Sequence, residues 1–171
     1  KKRYPETWEI DRLWKSGDSV QLAIGQKDLL VTPLQMARVY ALLANGGKLV
    51  TPHLVSSVEQ PGNSGAVKAV FSPAPKDVNV DPAELNVIGD GLYRATHASY
   101  GTSAGVFGAF PIPIAGKTGT AEKAVDVDGD GYAQMVDQSW WCGYGPTDKT
   151  PELVVCVVIE NGGHGSTAAA P

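Results

Sequence analysis

The stretch Ile114-Ala115-Gly116-Lys117-Thr118-Gly119-Thr120-Ala121-Glu122 sets a cation, two hydroxyls and a glycine side by side. An ammonium draws an anion, hydroxyls donate to a carboxylate, and a glycine lets a ligand's backbone approach. Read as a strand, this segment is suited to binding an anion along its edge. Alternation assigns Lys117 and Gly119 to one face and Thr118 and Thr120 to the other, unless twist at a sheet edge brings them together. The plain alternative is a solvated edge-strand lysine.

Three further constellations compete with it. Asp126-Val127-Asp128-Gly129-Asp130-Gly131 matches the start of an EF-hand loop, with calcium ligands expected from Asp126, Asp128, Asp130, the Tyr132 carbonyl and a closing Asp137. Asp137 is shorter than the usual closing glutamate, and the flanks read as strands rather than helices. An acidic hairpin turn is therefore the competing reading, and any calcium bound here is structural. Gly101-Thr102-Ser103-Ala104-Gly105 has the spacing of a nucleophile elbow, which needs a strand before it and a helix after it. Here the order is reversed, so Ser103 is read as part of a flexible Gly-rich loop, 101–108, bordering the cleft. Cys142 and Cys156 sit on strands that could oppose each other, so a disulfide is open to them in an oxidising compartment, but two buried free thiols are the expectation. Trp140, Trp141 and Tyr144 read as core or edge cover and His164 as an exposed loop residue.

These groups need elements to position them. Thr32-Pro33-Leu34-Gln35 carries an N-cap, a first-turn proline and a capping-box glutamine, and Leu34, Ala37, Ala41 and Ala44 line one face, so a helix is predicted over 33–45. Asn45-Gly46-Gly47 stops it. Asp81-Pro82-Ala83-Glu84 repeats the start signal, and Leu85, Ile88, Leu92 and Ala95 follow at helical spacing, predicting a helix over 82–97. Between them, Pro61-Gly62-Asn63-Ser64-Gly65 and Ser72-Pro73-Ala74-Pro75 punctuate a surface strap over 59–80. Strands are predicted at 112–123, 138–145 and 152–160, and their short connections favour antiparallel neighbours. The pattern is an α+β fold, with helices packed on an antiparallel sheet of three consecutive C-terminal strands.

Composition narrows the function. The chain has 171 residues, 43% hydrophobic and 19% charged, with a net charge of -4. Lys and Arg are scattered, so nucleic acid and anionic membrane surfaces are not expected partners. No apolar run approaches the roughly 20 residues of a helical span. Two cysteines and three histidines supply neither a disulfide scaffold nor metal-site spacing. The chain starts at Lys1 without a secretory segment and ends in small residues, and is expected to be truncated at both ends.

The Lys117-Thr118-Gly119-Thr120-Ala121 segment resembles the Lys-Thr-Gly strand of penicillin-binding proteins and serine β-lactamases. Gly17 to Gln26, Val31 to Ala37, Asn45 to Gly47 and Pro52 to Leu54 are similar to the helix-containing segment of class B enzymes, closest to the elongation, or rod-shape, type. Trp140 to Pro146 and Val154 to Gly163 resemble the last two strands of the same domain. The resemblance implies that residues 1–171 are the carboxy-terminal portion of one transpeptidase domain. It implies that Lys117 polarises the site and attracts substrate, that Thr118 and Thr120 hold a carboxylate, and that Gly119 gives access. The Thr120 amide is implied as an oxyanion donor, so Lys117 and Thr120 are the expected catalytic residues. No Ser-x-x-Lys and no Ser-x-Asn occurs in the 171 residues.

The expected activity is therefore peptidoglycan D,D-transpeptidation through an acyl-serine in the intact protein, with this chain alone inactive. No cofactor is expected beyond the calcium weighed above. The implied partners are a peptidoglycan stem peptide, β-lactams, cell-wall elongation proteins and the remainder of the same domain. The implied location is the extracytoplasmic face of the bacterial cytoplasmic membrane, reached through an upstream anchor. The rival readings are a non-catalytic β-lactam sensor and a calcium-stabilised structural domain.

Overall fold

The computed structural model describes residues 13–26, 29–62 and 66–171. Two compact units divide the chain, Lys1–Val31 and Thr32–Pro171. In the first, helix α1 (Ser16–Ala23) starts where the Lys15 amide donates to Asp18 Oδ2 at 2.8 Å, with the acidic group at the positive end of the helix dipole. Trp14 Nε1 donates to Ser19 Oγ at 2.9 Å across the same turn. No helix among the described residues is long and apolar enough to cross a membrane.

The second unit opens with α2 (Pro33–Ala44). Its capping box forms as the residue types dictate: the Gln35 amide donates to Thr32 Oγ1 at 3.2 Å and the Thr32 amide to Gln35 Oε1 at 2.8 Å. Gly46 and Gly47, at φ of 74° and 93°, turn the chain out of the helix, and the Gly47 amide donates to the Leu42 carbonyl at 2.8 Å. The strap is two small antiparallel ladders. Strand β1 (Lys48–Leu49) pairs with β4 (Lys76–Asp77), and β2 (Ser57–Glu59) pairs with β3 (Val67–Val70) across a register shift at Val58/Glu59. Asn63, Ser64 and Gly65 of the expected first turn lie outside the described residues. Helix α3 (Pro82–His97) occupies the predicted span, with Asp81 Oδ1 accepting from the Ala83 amide at 2.8 Å.

Strands β5 (Ala115–Val125), β6 (Gln134–Gly145) and β7 (Leu153–Ile159) form an antiparallel sheet in the order β5-β6-β7. The expected start of β5 at 112 moves to Ala115, because prolines at 111 and 113 offer no amide to a ladder. The expected start of β6 at 138 moves back to Gln134, because pairing with β5 continues out to Val125 opposite Gln134. Gln134 and Asp137 at the ends of that stretch leave only Met135 and Val136 as an apolar signal, which had hidden the extension.

Register sorts the sheet into two faces. Lys117, Cys142 and Cys156 form one row across the strands, beside Ala115, Tyr144 and Val154. Thr118, Trp141 and Val157 form a row on the opposite face, beside Thr120, Ser139 and Ile159. Helix α3 packs on β5, and α2 on β6 and β7. A Cβ at Gly89 of α3 would stand 3.4 Å from the Tyr144 hydroxyl, so the helices approach the Tyr144 face. Between α2 and β6, burial pushes the Tyr40 hydroxyl pKa up to about 12, with Tyr144 adding to the shift.

Trp141 anchors the other face at 6% exposure, packed with Ala169, Ala170, Phe107, Ile114 and Val157. Its indole lies flat over the sheet because Gly116 and Gly143 leave room: a Cβ there would come within 2.5 and 2.4 Å of the ring.

The expectation of free thiols is overturned, since Cys142 and Cys156 are disulfide-bonded. Their strands place them directly opposite on β6 and β7 with Cα atoms 4.1 Å apart, within bonding reach. The expected loop at 101–108 also contains a short helix, α4 (Ala104–Phe107).

Candidate functional site

Strand β5 is the outermost strand of its sheet, paired only with β6 among the described residues. The disulfide partners lie at the close spacing of a non-hydrogen-bonded antiparallel pair. Cys142 therefore turns its backbone polar groups toward Lys117 on β5, its partner in register. By alternation the amides and carbonyls of Thr118 and Thr120 turn to the outer edge of β5.

At that edge Lys117 Nζ donates to the Thr118 carbonyl at 3.0 Å and to Thr118 Oγ1 at 3.0 Å. Alternation puts the two side chains on opposite faces. With no further strand paired to this edge among the described residues, the lysine curls over it and meets the threonine. A third donation reaches Thr102 Oγ1 at 3.1 Å, and Thr118 Oγ1 donates to the same oxygen at 2.9 Å. The three donors of the ammonium thus meet oxygens. Lys117 is exposed as a whole residue, yet partial loss of hydration lowers its pKa from the ordinary lysine value.

Thr120 is half-buried on the Trp141 face, opposite Ser139. The chain after β7 folds back over this point: the Gly165 amide donates to Thr120 Oγ1 at 3.4 Å, and Ser139 Oγ to the His164 carbonyl at 3.1 Å. Gly165 is required there, since a Cβ would stand 2.4 Å from the carbonyl oxygens of both Gly119 and Trp140. At Gly119 itself a Cβ would stand 3.2 Å from Trp140 Cβ, a tight contact with the paired strand. Gly119 thus leaves room for Trp140 on the helix-bearing face.

Thr102 escaped notice as a partner of this edge, although its segment stood out for its glycines. Ser103, by contrast, is 1% exposed and donates through Oγ to the Ala95 carbonyl at 3.1 Å. A helix precedes it, and the hydroxyl is locked in structure, so the elbow reading is closed.

The Asp126, Asp128 and Asp130 carboxylates lie within 4.8 Å of one another in the exposed β5–β6 connection. Asp126 accepts from the Gly129 and Gly131 amides at 2.8 and 3.0 Å, and Asp130 from the Tyr132 amide at 2.8 Å. Asp137 does not join them. It sits inside β6, paired with Glu122, with its carbonyl accepting from the Gly163 amide at 3.3 Å. The five-ligand EF-hand set is thereby corrected to an acidic triad in a hairpin turn, with strands rather than helices on both sides.

A separate cavity of about 700 Å³ opens between α2, α3 and the β6–β7 turn, bordered by Asn86, Asp90, Tyr93, Ala115, Tyr144 and Lys149. None of Lys117 to Thr120 borders it; their polar cluster lies at the outer edge of β5.

Among known proteins, residues 5–171 match the family described as penicillin binding protein transpeptidase domain. The peptidoglycan D,D-transpeptidase MrdA of Haemophilus influenzae is 34% identical over 169 residues, which are 94% of this chain and 25% of the relative. Pseudomonas aeruginosa PBP2, solved in complex with WCK 5153, is 32% identical with a TM-score of 0.71 over 96% of this chain and 32% of that one. In the Helicobacter pylori complex between PBP2 and MreC, the match is 26% identical with a TM-score of 0.69, over 94% of this chain and 27% of that one. The chain spans about a quarter of the length of the curated relatives it matches.

Proposed function

The chain belongs to the penicillin-binding protein transpeptidase domain family, in the group that includes MrdA and PBP2, and from that premise we propose that the outer edge of β5 receives the carboxylate-bearing end of a peptidoglycan stem peptide. The observation that carries this is the meeting of the Lys117 ammonium and the Thr118 hydroxyl on a strand edge that, among the described residues, is paired on its other side only. Lys117 attracts the anion and polarises the site, and the Thr118 and Thr120 hydroxyls hold the carboxylate, Thr118 turning its single proton from Thr102 Oγ1 to the ligand as it binds. The Thr120 amide, turned to the same edge, offers one donor to the oxyanion that develops during acyl transfer.

Acyl transfer also needs a nucleophile and a base, which in this reading come from a serine and a lysine elsewhere in the full-length protein. The serine attacks the carbonyl of the penultimate stem-peptide residue, the terminal D-amino acid leaves with a proton, and an acyl-enzyme forms. An amine of a second stem then displaces the serine. β-Lactams acylate the same serine. Large apolar side chains left at the surface, among them Leu34, Val39, Val87 and Leu153, support a further part of the same domain packing against this one. The disulfide supports an oxidising, extracytoplasmic location, and assembly with elongation proteins such as an MreC-like partner is part of the same reading.

The test is covalent labelling by a fluorescent penicillin. The full-length protein is expected to label, the 171-residue chain alone is not, and Thr118→Val in the full-length protein lowers apparent affinity. Labelling of the isolated chain would overturn the assignment of the nucleophile to another segment.

A further inference from the structure

Lys117 and Thr118 leave their strand on opposite faces, so something must fix where they meet at its edge. We propose that Thr102 is a positioning residue of this site, a single acceptor oxygen that sets the place of the Lys117 ammonium and the Thr118 hydroxyl together. The inference rests on the reading of the β5 edge as a carboxylate clamp.

Thr102 Oγ1 stands 3.1 Å from Lys117 Nζ and 2.9 Å from Thr118 Oγ1, and the latter two are 3.0 Å apart. The three atoms make a closed triangle. A hydroxyl has two acceptor lone pairs, and Thr102 offers one to each neighbour. A long lysine stem has many rotamers in water. An acceptor at a fixed point selects those that bring the ammonium to Thr118.

The point is fixed because the backbone on both sides of Thr102 is tied to the end of α3. The Gly101 amide donates to the Ala98 carbonyl at 2.7 Å, and the Ser103 amide donates to the Ala95 carbonyl at 3.0 Å. Ser103, fully buried, adds its hydroxyl to the same carbonyl. Gly101 presses so closely on the helix end that a Cβ would stand 2.5 Å from the Arg94 carbonyl oxygen. Helix α3 is in turn tied to the residue before β5, where the buried Thr96 donates through Oγ1 to the Ile114 carbonyl at 2.7 Å. The path from Ile114 through Thr96, Ala95 and Ser103 to Thr102 therefore returns to β5 at Lys117. Thr102 is referenced to the strand it serves.

An acceptor facing an ammonium favours its charged form. Removing that oxygen should therefore disorder Lys117 and also let it lose its proton at lower pH. Packing alone would do the first without the second.

The experiment measures the second-order rate of acylation of the full-length protein by a fluorescent penicillin across pH. Thr102→Val keeps the shape and removes the acceptor, and Thr102→Ser keeps the acceptor. The expected result is a rate about tenfold lower for Thr102→Val, with the alkaline limb moved to lower pH, and recovery of both in Thr102→Ser. Thr102→Ala should reproduce the moved limb. A Thr102→Val rate within twofold of wild type, roughly the context scatter of one hydrogen bond, overturns the proposal. So does a slowed rate with an unmoved limb and no recovery in Thr102→Ser, which marks a packing role. Lys117→Ala, run beside them, separates the two levels. If it also leaves acylation intact, the reading of the β5 edge fails, whereas its loss with Thr102→Val unaffected refutes only the role of Thr102.

Discussion

The Lys117–Thr120 edge and the Asp126–Asp130 turn lie on one β-hairpin, and each matches a short sequence motif. In the turn, the carboxylates accept from amides two to five residues away, Gly129, Gly131 and Tyr132. These bonds stay within the loop and define its bend, and Asp128 reaches only as far as the Gln134 side chain at 3.4 Å. At the edge, the polar groups are joined instead to Thr102, 15 and 16 residues earlier, and to Gly165, 45 residues later. The difference teaches that a motif's chemistry depends on where its hydrogen bonds go. Polar groups satisfied by their own loop shape it, while groups gathered from distant segments are held in place for something else.

Five experiments press on that contrast. Lys117→Ala in the full-length protein should slow acylation on the order of 1,000-fold, because it removes the charge that polarises the site. A small effect would erase the distinction between edge and turn. The wild-type alkaline limb should also lie below the ordinary lysine value of 10.5, since desolvation lowers the Lys117 pKa and activity needs the ammonium. Replacing Cys142 and Cys156 together by serine removes a cross-link spanning 14 residues and should cost about 3 kcal/mol. Loss of melting temperature on reduction, in the wild type alone, checks it. Gly165→Ala must push a methyl into two backbone carbonyls beside Gly119, at a cost of roughly 1–3 kcal/mol. If the segment after β7 helps hold the edge, acylation falls with the melting temperature. Smallest is Asp126→Ala, which frees the Gly129 and Gly131 amides at an exposed turn and should cost about 1 kcal/mol with acylation unchanged. A rise in melting temperature with added calcium, lost in this variant, would sharpen the comparison the other way.

Much of the scaffold could be read from local chemistry. The Thr32 and Asp81 caps located both long helices to within a residue, because a cap is a contact between neighbours in sequence. The three strands and their antiparallel order followed from apolar runs and short connections, with errors at the ends. The start of β6 was hidden because Gln134 and Asp137 leave only Met135 and Val136 as a local strand signal, and pairing with 122–125 is what draws the stretch into the sheet. Thiol pairing was open for the same reason: sequence put Cys142 and Cys156 on adjacent strands, and register put them opposite each other.

Residue types alone carried the cation and hydroxyls of 117–120, the glycines that turn the chain at 46 and 47, and the family pattern. Spatial folding supplied the rest, because it depends on contacts that no local window contains. It made β5 an edge, curled Lys117 over that edge onto Thr118, brought Thr102 across from the end of α3, and closed Gly165 over Thr120. It also took Asp137 away from the aspartates it was expected to join, since the pairing of a strand outweighs a pattern counted along the chain.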